Sequence, residues 1–154
     1  MPEVFASLHS DEASLVLECP AGSVPLWRHL GARVDAAGIP PLGQTRTPAS
    51  FSLDEDMPFT SAPNAGLGWF GPPCLALRQN GRNLVVAFAE TEIEQQSDRI
   101  VIRLSDRQSG VELRQTIDLL AGGAYRFKAG LVNIGAEPFE LDWLASAMIP
   151  LGSG

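Results

Sequence analysis

The residues from Arg99 to Leu119 alternate between apolar and polar. "RIVIRLSD" sets Ile100, Ile102 and Leu104 on one side of an extended chain. "GVELRQTIDLL" sets Val111, Leu113, Ile117 and Leu119 on one side and Glu112, Arg114, Thr116 and Asp118 on the other. "AYRFKAGLVNIG" and "PFELDWLASAMIP" continue the period. A period of two means half-buried strands, with one face on a core and one polar. Antiparallel sheets show this pattern, whereas parallel sheets are apolar on both faces.

The connections agree with that reading. Asn80-Gly81 in "QNGR" is a two-residue hairpin signal, because both residues tolerate positive φ. "SDRQSG", "AGGA" and "NIGAEP" punctuate the later strands at sandwich-like spacing. "EVFASLH", "SLVLEC" and "VPLWRHLGARV" read as further strands, with turns at Asp11-Glu12 and Ala21-Gly22. No helical period runs for ten residues or more. The pattern predicts an all-β fold of packed antiparallel sheets, two in number, in one domain over residues 1–154.

Composition narrows the function. The chain has 154 residues, enough to bury a core, and 45% of them are hydrophobic. Its net charge of -7 disfavours nucleic acid, which needs a basic face. No apolar run approaches the ~20 residues that span a bilayer, and no charge run suggests a membrane surface. The start "MPEVFASLHSDEASL" lacks the basic and apolar regions of a secretion signal, so a cytoplasmic location is expected. Cys19 and Cys74 are too few for a disulfide framework, although the two could pair; Cys19 ends a strand-like run and reads as a buried free thiol.

Between Asp35 and Pro73 the alternation fades, apart from "ASFSL", and Pro and Gly become dense. Long irregular spans in a compact domain are often functional or interfacial. The span ends in "NAGLGWFGPPC", Asn64 to Cys74. That segment has too much Gly and Pro for a core strand, yet sets Trp69 beside Phe70. It reads as a shaped, surface-reaching loop with Trp69 near its tip, where Gly66 and Gly68 permit unusual backbone angles and Pro72 and Pro73 stiffen the exit.

Chemistry-bearing clusters are sparse. His9 and His29 fall on separate strands with no cysteine pair at ligand spacing, so no metal is expected. "GLGWFG" resembles a phosphate loop only superficially, because Pro72-Pro73 follows instead of a helix, and no cofactor is expected. Asp54, Glu55 and Asp56 read as a solvated loop rather than a glycosidase acid pair, and Glu90, Glu92 and Glu94 as a wet sheet face. On its own residues the chain does not read as an enzyme.

The ordered set of segments resembles glycoside hydrolase family 36, the bacterial α-galactosidases. Val16-Leu17-Glu18, then Leu26 to Val34 with Gly31 and Arg33, match the start of that family's N-terminal region. Leu104, Asp106, Gly110, Val111 and Leu113 match a later motif. Arg126, Asn133, Gly135, Glu137, Pro138, Leu141, Ser146, Ala147 and Pro150 match two more. The resemblance runs from about residue 4 to residue 151.

It implies an antiparallel β-supersandwich of the galactose mutarotase type. It also implies that catalysis belongs to a following (β/α)8 barrel, where one Asp is the nucleophile and another the acid/base. The expected partners are that barrel, a homo-oligomer and the parent's galactoside. The family's "G-T-G-D-F-R-x-P-A-L" segment, whose loop approaches the sugar pocket, aligns with Gly66 to Leu75. Gly66, Gly68, Phe70 and Pro73 match, but Trp69 replaces the family's Asp and Gly71 its Arg. Trp69, Phe70, Gly68 and Pro73 are therefore the candidate substrate-binding or interface residues. Trp69 offers a platform to a sugar face or packs on the barrel or a neighbouring subunit. An independent carbohydrate-binding module and an aldose mutarotase are the alternatives. The module would rest on Trp69 alone, since Trp27 and Trp143 lie on strand patterns.

Overall fold

The apolar stripes of the alternating strands meet directly. In a computed structural model describing residues 4–35, 59–69 and 71–149, strands Arg99–Asp106 (β7) and Val111–Leu119 (β8) pair antiparallel. Ile100 faces Ile117, and Leu104 faces Leu113; all four are buried. Each such side chain contributes about 1.5–3 kcal/mol on leaving water.

Eight more strands complete the described fold: Val4–His9 (β1), Ala13–Cys19 (β2), Leu26–Ala32 (β3), Leu75–Gln79 (β4), Arg82–Leu84 (β5), Glu90–Gln95 (β6), Tyr125–Asn133 (β9) and Glu140–Leu144 (β10). All pair antiparallel, and their buried side chains form one apolar cluster. The architecture is an all-β sandwich. The expected two-sheet division is finer in the structure: the hydrogen-bonded sheets are β1-β2-β3, β10-β4-β5 and β6-β7-β8-β9. The long span after β3 interrupts the ladder, so β4 starts a new sheet with the late strand β10. "ASFSL" and the acids Asp54, Glu55 and Asp56 lie outside the described residues.

Turn chemistry follows the sequence. Asn80 and Gly81 both take positive φ, 51° and 72°, as a two-residue hairpin requires. Cys19 and Cys74 are free and buried, and burial pushes their thiols up to about 11 and about 12. No helix among the described residues is long and apolar enough to cross a membrane.

The polar face of the four-stranded sheet is ordered by charge. Arg107 pairs with Glu90, and Arg103 with Glu92 and Glu94, which makes β6 the wet face expected of it. Across the next strands, Arg99, Asp118 and Arg126 stand in register. Asp118 is buried beneath the two guanidinium groups, at 2.6 Å and 2.8 Å. Hydrogen bonds from Arg99 first, then from Arg126, hold its carboxyl down to about 2.

The native value lies below the unfolded one of about 3.9, so this stabilisation is full above pH ~4 and is lost as pH falls towards 2. Urea midpoints measured across that window should fall, and Asp118→Asn should flatten the fall. Parallel curves for the two proteins would contradict the assignment. Thiol titration should find Cys19 and Cys74 unreactive at neutral pH until the chain is unfolded.

Candidate functional site

The segment from Phe59 to Cys74 is built from its root. Its first residues add to the start of β3: the Trp27 N–H donates to the Phe59 carbonyl (3.0 Å) and the Ser61 N–H to the Pro25 carbonyl (2.7 Å). Buried Gln115 of β8 donates its Nε2–H to the Ser61 carbonyl at 2.9 Å. The buried Asn64 side chain donates to the Ala62 carbonyl, and the Asn64 carbonyl accepts from the Leu67 N–H at the start of a 3-10 turn, Ala65–Leu67. Gly68 ends that turn in the left-handed region, φ 79°, where a side chain is strained.

Gly66 serves a different purpose from the backbone freedom the sequence suggests. Its φ is not positive, but a Cβ there would overlap the Val86 carbonyl oxygen and lie 2.7 Å from its carbonyl carbon. Gly71 likewise lies under the Trp69 indole, with 2.8 Å left for a Cβ. One glycine thus permits a backbone crossing, one a left-handed turn, and one the seating of a ring.

Trp69 folds back on its own loop. It is half-buried, stands edge-on to Phe59 (5.2 Å between centroids, 78° between planes) and donates its Nε1–H to the Pro72 carbonyl at 3.0 Å. Trp143 of β10 donates its Nε1–H to the Pro73 carbonyl at 3.1 Å. Two indoles therefore hold the carbonyls of the Pro72-Pro73 pair. The structure brings Gly68, Trp69 and Pro73 into this one loop; Phe70 lies outside the described residues.

Trp143 is the residue that the alternation hides. Leu141 pairs with inward Leu77, but Trp143 pairs with Ala76, because Asp142 forms a bulge between them. The bulge puts Trp143 on the face of Ala76 rather than that of Leu77, and it is 55% exposed there. Trp27, by contrast, is core, edge-on to Phe127 at 6.1 Å.

Two grooves mark the described surface. One of about 240 Å³ runs beside the loop, lined by Asn64, Pro73, Ala76, Asn83, Val85 and Asp142 among others. A larger one, about 420 Å³, lies elsewhere, between the β1–β2 turn and the β8–β9 turn. His9 binds Ser14 and His29 the Ala32 carbonyl, and no three potential metal ligands cluster among the described residues.

This pairing of a rigid Gly/Pro loop with a sandwich can be compared with known families. A model described as the glycosyl hydrolase family 36 N-terminal domain matches residues 23–154. The chain belongs to that family. No curated protein matches the chain. The family 36 match includes the whole loop and every later motif, while Val16-Leu17-Glu18 lies upstream of it. Membership implies a partner catalytic domain in the parent glycoside hydrolase.

The crossing at Gly66 gives a direct test. Gly66→Ala should cost about 3 kcal/mol through overpacking against Val86. Gly130→Ala, where a Cβ meets nothing within 4 Å, should be neutral or slightly stabilising. Equal urea midpoints for the two variants would contradict the crossing.

Proposed function

We propose that this chain is the non-catalytic N-terminal portion of a family 36 α-galactosidase whose barrel hydrolyses terminal α-galactosides. The family match over residues 23–154 carries the reading. Four of the described carboxylates fit it, because they are committed to structure. Asp118 is held by Arg99 and Arg126, Asp142 by Arg78, Glu90 by Arg107, and Asp106 by the Ala87, Gln108 and Ser109 N–H groups. An acid/base pair needs free carboxyl groups facing a common bond.

In this reading the loop from Gly68 to Pro73 forms a wall near the sugar pocket or an oligomer contact, with Trp69 in place of the family's Asp. The ring is already ordered by Phe59 and Pro72, so contact adds little entropic cost. The parent works as a homo-oligomer in the cytoplasm, a reducing compartment that suits two free thiols.

An aryl α-galactoside assay tests this on the whole enzyme and on the chain alone. The whole enzyme should turn over and the chain should not. Trp69→Ala in the whole enzyme should raise KM or weaken assembly and leave the fold of the chain intact. Turnover by the purified chain, or a whole enzyme inert to α-galactosides, would contradict the proposal.

A further inference from the structure

The three most exposed large apolar side chains among the described residues share one sheet. Val85, Trp143 and Leu141 are 63%, 55% and 52% exposed, and all belong to, or directly follow, strands of β10-β4-β5. The register places Trp143 beside Ala76 of β4, and the Leu77–Leu84 pairing brings the next residue, Val85, to the other side of Ala76. Trp143, Ala76 and Val85 thus make one row, while Leu141 stands in the neighbouring row with Leu77. The row borders the groove of about 240 Å³. Arg78, paired with Asp142 and Glu140, forms a charged rim beside it. An apolar centre with a polar rim is the anatomy of a protein interface.

We propose that this face is where the catalytic portion of the family 36 enzyme docks, with Trp143 as the buried anchor. The inference rests on the functional reading only in taking a catalytic portion to follow the N-terminal one. Connectivity argues for that occupant. The chain leaves β10 at Leu144, and the Ala145 N–H donates to the Cys74 carbonyl at 2.8 Å, so the outgoing backbone starts beside the patch. The ten residues from 145 to 154 reach at most about 35 Å. Whatever follows them is tethered near the patch at an effective concentration of roughly millimolar.

The anchor is also prepared. Its indole is fixed to the Pro73 carbonyl, so docking orders a ring that is already held. Tryptophan at the centre of such a patch is the residue type that most often carries binding energy. Because Trp143 and Trp69 hold adjacent carbonyls, docking here also braces the loop proposed to face the sugar pocket.

Hydroxyl-radical footprinting read by mass spectrometry tests the face. Trp143 should oxidise freely in the chain and about tenfold more slowly in the whole enzyme, as for a ring desolvated at an interface centre. Val85→Lys places a charge in the row without touching the Pro73 bond. It should restore oxidation of Trp143 in the whole enzyme and leave the chain's own melting unchanged.

Equal oxidation of Trp143 in chain and whole enzyme would overturn the proposal. Protection in the chain that grows with its concentration would assign the face to a second copy and overturn it too. So would protection that appears only when a galactoside is added. The galactosidase assay separates the two readings. A whole enzyme that shields Trp143 but cleaves no α-galactoside sinks the functional reading alone. One that cleaves it with Trp143 exposed sinks only the docking face.

Discussion

One amide ties the root of the loop to the four-stranded sheet. Gln115 occupies an inward position on β8, opposite Ile102, in a stripe that is otherwise aliphatic. A buried amide is costly unless it is hydrogen-bonded. Its Nε2–H finds the Ser61 carbonyl and so fixes the root of the loop to the central strands of the four-stranded sheet. From that root the chain crosses Val86 at Gly66, turns at Gly68 and reaches the edge of β4 and β10 through the two prolines. The loop is therefore a strap across the molecule rather than an excursion into solvent.

The strap also joins sheets that share no ladder. Its start pairs with β3, through the Leu26–Thr60 bridge, and its end leads into β4, where the Cys74 N–H donates to the Pro63 carbonyl at 2.7 Å. Pro72 and Pro73 suit that end because they bring no N–H groups that would need partners, while their carbonyls meet two indoles. Backbone hydrogen bonds that would otherwise form a ladder are replaced by a 3-10 turn and side-chain donors. Rigid presentation of a surface follows from that substitution.

The strands were legible because their alternation is strict wherever one face is buried, as at Ile100, Ile102 and Leu104. The Asn80-Gly81 hairpin was legible because few dipeptides accept two positive φ angles. The loop was visible as a Gly/Pro cluster, but the separate purposes of its glycines were not, since Gly66 answers to Val86, twenty residues away. Trp143 was hidden for a sharper reason. A bulge at Asp142 reverses the face of everything beyond it, and a single sequence carries no mark of the bulge. Gln115 was equally silent, because its partner Ser61 is 54 residues distant.

The central claim is that the strap is as firmly held as the core beneath it. Native-state hydrogen exchange, resolved by residue, measures this directly. The Trp69 and Cys74 amides, which donate to the Asn64 and Pro63 carbonyls, should exchange only with an opening free energy close to that of Ile102 and Leu104. Exchange of these two amides through a cheap local opening, while the core strands stay protected, would contradict the account.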